Sequence, residues 1–489
     1  MSSLLVLNDR DDVAIATDTV GTIPSGHKVA RHAIALDAPV RRYGQIIGFA
    51  SAEIGEGDHV HTHNLAVKDF DRAGAVGLEY RPTSFVPEPA SFDGFVRPDA
   101  RVGTRNYVGI VSSVNCSAMV SRAIAGHFTG EALAAFPNVD GVVPITHTLG
   151  CAMDPGGEGM AVLQRTLAGY ATHPNFGAVL MIGLGCESNQ ISGIIETQRL
   201  EPGPRLRTMT IQDQGGTIAT IARGVELIRE LLIEANRDCR TRVSAAHLMV
   251  GLQCGGSDGY SGITANPALG VAVDLLVAHG GTAILSETPE IYGAEHLLTA
   301  RAASSAIADK LKARIAWWED YTKRNGGVMD NNPSHGNKVG GLTTILEKSL
   351  GAVAKSGATG LMDVVEYAEA VRTRGLNFMD TPGYDPVSAT GQVAGGANLI
   401  CFTTGRGSVY GCKPTPSLKL ATNSAMYAAM RDDMDFNAGE IIDGIMTVAE
   451  AGTLIFALIL ATASGTQSRS EAHGFGVDEF VPWQIGAVM

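Results

Sequence analysis

The chain has 489 residues, of which 45% are hydrophobic and 18% charged, so it is long and apolar enough to bury the cores of several domains. Its formal net charge of −13 and its lack of basic runs exclude the electrostatic pattern of nucleic-acid binding. The seven cysteines are odd in number and include no C-x-x-C pair, which excludes a zinc ribbon and the staple pattern of small secreted domains.

The N-terminal residues lack a basic segment followed by an apolar one, so the sequence predicts no signal peptide. The most hydrophobic stretch, residues 445–463, contains Glu450 and has too short an apolar run to span a bilayer. It therefore predicts a buried helix. We expect a soluble, cytoplasmic protein with no membrane partner and no nucleic-acid partner.

Residues 1–72 consist of short alternating segments separated by polar turns such as DRDD and GEGD, which predicts a small all-β module. Residues 73–103 hold four prolines and no sustained periodicity, so they predict a semi-extended linker. From residue 104 the pattern is strand, glycine-rich turn and helix, repeated, which predicts an α/β core with parallel sheets. A break near residue 240 divides this core into domains at 104–240 and 241–489, the second with a C-terminal helical segment.

Four apolar, strand-like runs of this core each end in a turn of small residues that carries a cysteine. The runs are YVGIVSSVNCS, GVVPITHTLGC, AVLMIGLGCES and HLMVGLQCGGSD, and their cysteines are Cys116, Cys151, Cys186 and Cys254. Ligands of parallel α/β sheets collect outside the carboxyl ends of the strands, where such turns lie. The pattern predicts that the four thiols serve a reaction centre, as metal ligands.

Histidines cluster in the β module. His59, His61 and His63 alternate along HVHTHN, so in a strand all three project from one face. Imidazole suits iron, manganese and zinc, but the same pattern is also typical of a polar edge strand that faces water. His27 lies in a PSGHK turn beside Lys28 and is either solvated or part of a site.

Other turns of the core carry groups suited to binding anions or moving protons. Arg406 lies between two glycines after a strand-like run, a geometry suited to holding a carboxylate, and Lys338 follows a Gly-Asn turn. Glu187, Asp258 and His147 each neighbour a cysteine turn and are candidates for a base, an acid or an orienting residue. No G-x-G-x-x-G opens a helix after a strand and no G-x-x-x-x-G-K-[ST] is present, so the chain has no dinucleotide or P-loop signature.

Several longer segments resemble the altronate/galactarate dehydratase family, which also includes the large subunit of sulfolactate sulfo-lyase. The N-terminal stretch 23–65 resembles the small β-clip module of this family, called SAF. The segments that carry the resemblance in the core are GTRNYV, THTLGC, GLGCE, QCGGSDGYSGITANPALG, ETPEIYGAEHLL, GNKVGGLTTILEKSLG, MDTPGYDPVSATGQVAGGANLICFTTGRGS and EFVPWQIGAVM.

The resemblance implies iron-dependent removal of water from a sugar acid such as D-altronate or galactarate, giving a 2-keto-3-deoxy acid. Fe²⁺ is the expected cofactor, with Mn²⁺ as an alternative, and a single ion is favoured over an iron–sulfur cluster because short local cysteine spacings are absent. Two other readings stay open: release of sulfite from sulfolactate, and a non-catalytic protein that binds a sugar acid or a metal. We expect a homo-oligomer with a small sugar acid as its substrate.

The expected roles divide by chemistry. The metal ligands are His27, His61, His63, Cys116, Cys151, Cys186 and Cys254. Arg406 and Lys338 grip the substrate carboxylate, Lys28 or His147 exchanges protons, and Arg105 and Asn106 either anchor substrate oxygens or only begin the first core strand. The β module and the core are expected to share one cavity.

Overall fold

The computed structural model describes residues 3–68, 70 and 76–486. It contains a small β module, a four-stranded α/β domain and a larger α/β domain, which confirms the predicted mixed α/β class. Within these described residues, no helix combines the length and apolar character that a membrane crossing requires.

The β module consists of two small antiparallel sheets, with strand orders β1-β2-β3-β6 and β4-β5-β7. Val40, Ile47 and Val60 are fully buried between the sheets, as alternating strands with one apolar face require. The strands are β1 (Leu4–Leu5), β2 (Val13–Ala16), β3 (Lys28–Ala30), β4 (Pro39–Arg42), β5 (Gln45–Ala50), β6 (His59–Val60) and β7 (Leu65–Ala66).

The segment predicted as a linker contains regular structure, which corrects that prediction. Strands β8 (Ser91–Val96) and β9 (Val102–Gly103) form an antiparallel sheet with β14 (Arg240–Ser244), in the order β14-β8-β9. Phe92 and Phe95 of β8 are buried. The prolines around this short strand hid its apolar residues from a reading based on periodicity; residues 71–75 lie outside the described residues.

The middle domain is a parallel sheet of order β11-β10-β12-β13 with helices on its faces. Strand β12 is buried along its whole length, as expected for a sheet covered on both sides. The strands are β10 (Tyr107–Ser112), β11 (Gly141–Ile145), β12 (Phe176–Gly183) and β13 (Leu206–Thr210). The helices are α1 (Asn115–Gly126), α2 (Glu158–Ala171), α3 (Ile191–Gln198) and α4 (Thr217–Ala235), with a 3₁₀ turn at Gly130–Leu133.

The C-terminal domain is built on a seven-stranded parallel sheet of order β17-β18-β16-β15-β19-β20-β21. Its strands are β15 (Met249–Cys254), β16 (Thr282–Leu285), β17 (Leu361–Val365), β18 (Gly375–Met379), β19 (Leu399–Thr404), β20 (Ser417–Ala421) and β21 (Phe436–Asn437). The chain leaves β15 toward β16 on one side and later returns to β19 on the other. Such a reversal of strand order opens a crevice at the carboxyl ends of the strands.

Nine helices cover this sheet in the described part of the chain. They are α5 (Ala265–Ala278), α6 (Glu295–Thr299), α7 (Ser305–Arg324), α8 (His335–Val339), α9 (Ile345–Val353), α10 (Asp385–Ala394), α11 (Ser424–Ala429), α12 (Val448–Ala463) and α13 (Arg469–Ala472). The apolar stretch predicted as a buried helix forms α12, which is buried only on one face and exposes Leu454 on the other. Helix α12 packs against α5, where Gly452 lets the two helices approach closely.

A buried ion cluster joins the β module to the C-terminal domain. Lys28 Nζ lies 2.9 Å from both carboxylate oxygens of Glu347 and donates to the Gly341 carbonyl at 2.6 Å. Arg42 contacts the same carboxylate at 2.5 Å and donates to the Gly259 carbonyl at 2.6 Å. Lys28, Arg42 and Glu347 are all excluded from solvent, so this ion cluster and its hydrogen bonds to backbone carbonyls fix the module on the core.

Candidate active site

The carboxyl ends of β15 and β16 hold a buried cluster of reactive side chains. Cys254 ends β15, and Glu287 and Glu290 follow β16 in the turn 286–290, while Lys348 and Lys355 come from α9 and the 3₁₀ turn after it. All five are at least 93% buried. Buried ionisable groups are costly unless paired, so a cluster of this size beside the crevice of a parallel sheet indicates a functional site.

The cluster is held together by short polar contacts. Cys254 Sγ lies 3.1 Å from Glu290 Oε2 and 3.8 Å from Glu287 Oε2, and Lys355 Nζ donates to the same sulfur at 2.9 Å. Lys348 Nζ lies 2.6 Å from Glu290 Oε1 and donates to the Asn332 side-chain carbonyl, also at 2.6 Å.

Burial and neighbouring charge separate the protonation states of this cluster. Burial, reinforced by the charge of Glu290, raises the pKa of Glu287 well above its usual range and raises the pKa of the Cys254 thiol. Burial alone would also raise the pKa of Glu290, but Lys348 and Lys355 outweigh it and hold that pKa at about 2. Without a bound cation, Glu290 is therefore ionised, whereas Glu287 and Cys254 keep their protons.

The same donors fit a divalent metal. The ligand atoms of Cys254, Glu287 and Glu290 lie within 4.8 Å of one another, which is the one such group found among the described residues. Glu287 Oε1 is buried without a hydrogen-bond partner, and Glu287 has a left-handed backbone with φ of 70°. An orphaned buried oxygen on a strained residue is typical of a site prepared for a ligand. Metal binding would replace the protons on Cys254 and Glu287.

The mouth of the crevice is formed by two strand-end loops and one helix. Gly256 follows β15 and would clash with Arg406 if it carried a side chain, since a Cβ there would lie 2.9 Å from Arg406 Cβ. Arg406 itself is exposed after β19. Lys338, in α8, is half-buried nearby, because its neighbour Asn337 donates to the Ser257 carbonyl at 3.0 Å. Two cationic residues thus lie in segments that contact the loop directly after Cys254.

Asp258 organises this mouth instead of facing it. Its carboxylate accepts hydrogen bonds from Thr422 at 2.9 and 3.0 Å, from Asn423 at 3.0 Å and from Ser261 at 3.0 Å. A carboxylate so fully engaged with its own protein positions the loop and has little capacity left for substrate.

The histidines meet at the junction between the β module and the C-terminal domain. The rings of His27, His59 and His61 have centroids 5.1–5.2 Å apart, and His63 lies 5.6 Å from His59. The expected strand is shorter than predicted: β6 ends at Val60, and residues 61–64 form a turn. His61 Nε2 bonds the Lys338 carbonyl at 2.9 Å and His27 Nε2 bonds the Val339 carbonyl at 3.2 Å. The histidines therefore touch the helix that forms the mouth.

Acidification is expected to loosen this junction. Burial, followed by the neighbouring histidines, lowers the pKa of His59 to about 4, and burial lowers the pKa of His27 and His61 as well. Between pH 6.5 and 4 the unfolded chain binds more protons at His59 than the folded chain, so stability falls as pH drops through this window. Thermal midpoints at pH 7.5 and pH 5 should differ less in His59→Gln than in the wild type. His32→Gln, an exposed substitution in the same module, should leave that difference unchanged.

The structure separates the predicted site residues into three groups. Arg406 and the helix that carries Lys338 contact the loop that follows Cys254, and His27 and His61 contact that helix. The middle-domain sheet carries three of the cysteines at the carboxyl ends of its strands, namely Cys116, Cys151 and Cys186. The expected single set of four cysteine ligands is therefore corrected: three cysteines lie at this sheet, and Cys254 lies at the seven-stranded sheet.

The remaining predicted residues bond their own protein. Arg105 is paired with Glu471 at 2.6 Å, and the Asn106 amide donates to the Asn138 and Ala235 carbonyls at 2.7 and 2.9 Å. Both residues precede β10 and therefore lie at the amino ends of the strands, away from the carboxyl ends where ligands bind. Their contacts support a structural role. Both ring nitrogens of His147 bond backbone groups, of Ser112 and Leu149, at 2.9 and 3.1 Å. Lys28 lies in the ion cluster, and Glu187 accepts hydrogen bonds within its own turn.

Sequence reasoning missed four residues of the cluster, namely Glu287, Glu290, Lys348 and Lys355. A signal existed, because ETPEIYG and LEKSLGAVAKSG place charged residues at spacings of three and seven within otherwise apolar surroundings. Charges at these spacings in a run that must be buried indicate pairing or catalysis.

Comparison with known proteins agrees with this architecture. Residues 245–488 match the C-terminal domain of D-galactarate/altronate dehydratases, residues 94–236 match the second domain of D-galactarate dehydratase/altronate hydrolase, and residues 18–68 match the SAF domain of altronate/galactarate dehydratases. The three matches follow one another along the chain.

Individual relatives are similar over most of their length. Altronate dehydratase of Escherichia coli is 36% identical over 483 residues, 97% of this chain and 95% of the relative. Galactarate dehydratase (L-threo-forming) of the same species is 36% identical over 487 residues, covering 94% and 92%. The (2R)-sulfolactate sulfo-lyase subunit beta of Chromohalobacter salexigens is 31% identical over 389 residues, covering 78% and 95%.

Fold, site and similarity together define a dehydratase, that is, a carbon–oxygen lyase, as the sequence predicted. The chain belongs to the altronate/galactarate dehydratase family, which confirms the predicted resemblance, including the SAF assignment of the β module.

Proposed function

We propose that this protein removes water from a sugar acid, an aldonate or aldarate such as D-altronate or galactarate, in the crevice above Cys254. The observation that carries the proposal is the buried group of one thiol, two carboxylates and two ammonium groups at the carboxyl ends of β15 and β16. Relatives that are 36% identical over nearly their whole length bear the names altronate dehydratase and galactarate dehydratase.

Cys254, Glu287 and Glu290 would hold the metal, for which we propose Fe²⁺, with Mn²⁺ as a substitute. When bound, a divalent cation stabilises the enediolate charge that develops as the C2 proton leaves, and it lowers the pKa of adjacent ammonium groups. A thiolate ligand favours iron over magnesium, whereas the carboxylates also accept manganese.

The two buried lysines are suited to carry the protons. Burial would lower the pKa of Lys355, but Cys254, Glu287 and Glu290 outweigh it and raise that pKa while no cation is bound. A cation held by these three residues would offset their charge, and Lys355 would then take the proton from C2 as the neutral amine. Lys348, as the ammonium, gives a proton to the C3 hydroxyl as it leaves as water. The resulting enol becomes the 2-keto-3-deoxy acid, and a proton passing from Lys355 to Lys348 restores the site. Both nitrogens contact atoms of the same small cluster, Lys355 at Cys254 and Lys348 at Glu290, which keeps this return path short.

Arg406 is proposed to hold the substrate carboxylate at the mouth. Arg406→Gln should raise KM about 10- to 100-fold while changing kcat much less, because it removes a charge-assisted contact made equally in the ground and transition states. Steady-state kinetics on D-altronate and galactarate measure this split. A fall in kcat with an unchanged KM would instead assign Arg406 to the chemical step.

The activity is tested by loading the full chain anaerobically with Fe²⁺ and incubating it with D-altronate, galactarate and sulfolactate. We expect at least one of the two sugar acids to be converted to a 2-keto-3-deoxy acid, and we expect turnover to be slower when Mn²⁺ replaces Fe²⁺. Sulfite from sulfolactate alone would favour the sulfo-lyase reading. Intact substrates after prolonged incubation would favour a binding protein and reject the proposal.

A further inference from the structure

Three exposed cysteines lie at the same edge of the middle-domain sheet. Cys116 is in the first turn of α1, directly after β10, while Cys151 and Cys186 follow β11 and β12. Because these three strands are neighbours and parallel, in the order β11-β10-β12, their carboxyl ends meet. The proposed dehydratase chemistry uses none of these thiols.

Backbone and side-chain hydrogen bonds join the three cysteine loops. The backbone N–H of Asn115, the residue before Cys116, donates to the Leu149 carbonyl at 3.0 Å. The backbone N–H of Asn189 donates to the carbonyl of Gly150, the residue before Cys151, also at 3.0 Å. Glu187, beside Cys186, accepts from the Ser113 hydroxyl at 2.7 Å. Each cysteine is thus the chain neighbour of a residue that ties its loop to another cysteine loop.

Glycine lets the loops approach this closely. Gly150 has φ of 101°, and a Cβ there would lie 2.5 Å from the Ser113 carbonyl oxygen. Gly185, before Cys186, has φ of 123°. Backbone held in such conformations by a hydrogen-bond network presents its side chains in a fixed arrangement, which multi-thiolate ligation requires.

The three sulfur atoms do not lie close enough together to share one tetrahedral ion. Three thiolates around one tetrahedral ion, at about 2.3 Å each, lie about 3.8 Å from one another. Within the described residues, Cys116, Cys151 and Cys186 do not have all three sulfurs within 4.8 Å of each other. A cluster binds each thiolate at a different iron, so its ligands are farther apart.

We propose that Cys116, Cys151 and Cys186 bind a four-iron iron–sulfur cluster through three thiolates, which leaves one iron open to a ligand from outside the protein. A cleft of about 610 Å³ is lined by Cys116, Arg122, Thr146 and Thr148 and would let a ligand approach the cluster from the Cys116 side. Arg122 donates to the Thr146 hydroxyl at 3.1 Å and lies 3.1 Å from the Asp478 carboxylate in the same cleft, so an oxyanion would bind Arg122 in place of Asp478. A carboxylate or hydroxyl oxygen is the ligand class that this surrounding suits.

The full chain, purified and reconstituted anaerobically with iron and sulfide, tests the proposal. We expect about four iron and about four acid-labile sulfide per chain from the cluster, with its electron paramagnetic resonance signal after reduction or oxidation. Cys116→Ser, Cys151→Ser and Cys186→Ser should each lose most of the sulfide. Cys239→Ser, at an exposed cysteine between α4 and β14, should keep it.

Cys254→Ser separates this site from the proposed active centre. It should retain the sulfide and the cluster signal while losing dehydratase activity, so the two proposals fail independently. Circular dichroism of each variant shows whether it is folded. The cluster assignment would be overturned if the protein bound iron without sulfide. It would also be overturned if the sulfide content were unchanged in Cys116→Ser, Cys151→Ser and Cys186→Ser.

Discussion

Replacing Lys355 with methionine is expected to lower kcat for sugar-acid dehydration by about 10²- to 10⁴-fold, the range typical of a lost general base. The substitution should leave the fold intact. Without metal, the cluster holds the cations Lys348 and Lys355 against one carboxylate, Glu290, so removing one cation leaves a balanced pair. Exchange of the substrate C2 proton with deuterated solvent, measured by NMR, should disappear together with turnover.

A matched control is Lys312→Met, an exposed lysine on α7 of the same domain. It should retain both turnover and C2 exchange. Metal content is measured in parallel, because Lys355 contacts Cys254 directly. If Lys355→Met kept C2 exchange but lost product, Lys355 would act on the leaving hydroxyl and the two lysine roles would be reversed. Wild-type kcat in the variant would remove Lys355 from the mechanism.

Replacing Glu347 with glutamine is expected to lower the free energy of unfolding by about 3–5 kcal/mol, the usual effect of leaving a buried charge without its partner. Its carboxylate accepts from Lys28, from Arg42 and from the Thr343 amide and hydroxyl at 2.9 and 2.6 Å. A neutral amide would leave two buried cations unbalanced at the junction. Urea denaturation followed by circular dichroism measures the loss, and limited proteolysis shows whether the β module is released first.

The exposed pair of Lys68 and Asp37 in the same module is the comparison. Lys68→Ala should change the free energy of unfolding by less than about 1 kcal/mol, since solvent already screens both charges. An equal effect of the two substitutions would contradict the importance of burial.

The charged groups at the junction also predict its response to acid. Burial would raise the pKa of Glu347, but Lys28 and Arg42 outweigh it and hold the pKa at about 2. Its stabilising contribution is therefore complete above pH 4.5 and is lost as pH falls toward 2. Lys28 behaves differently: burial outweighs the attraction of one shared carboxylate and lowers its pKa to about 8.

Sequence patterns predicted where strands end, but they did not predict which strands are neighbours in a sheet. Each of the four cysteine turns lies at the end of a parallel strand, since an apolar run followed by small residues is a local signal. Whether four such turns face one cavity depends on which sheet each strand joins. The observed pairing places β15, which carries Cys254, in the seven-stranded sheet, whereas the strands before Cys116, Cys151 and Cys186 belong to the four-stranded sheet of the middle domain.

Charged residues were the hardest to interpret from sequence. Lys28 and Lys348 are both lysines in motifs that resemble the family, yet one pairs with Glu347 between two domains and the other with Glu290 inside the candidate active site. Their partners are 319 and 58 residues away along the chain. No local pattern encodes contacts over such separations.

The α/β class, the β module, the strand-end positions of the cysteines and the family could all be predicted from the amino-acid sequence. These properties follow from periodicity, turn composition and extended motifs, all of which are local. The fold was needed to show that three thiols lie at one sheet and Cys254 at another, and that β8 and β9 pair with β14. It was also needed to bring Glu287, Glu290, Lys348 and Lys355 into one buried site. The reason is physical: strand order and burial are set by packing of the whole chain, and they fix which ionisable groups must neutralise one another.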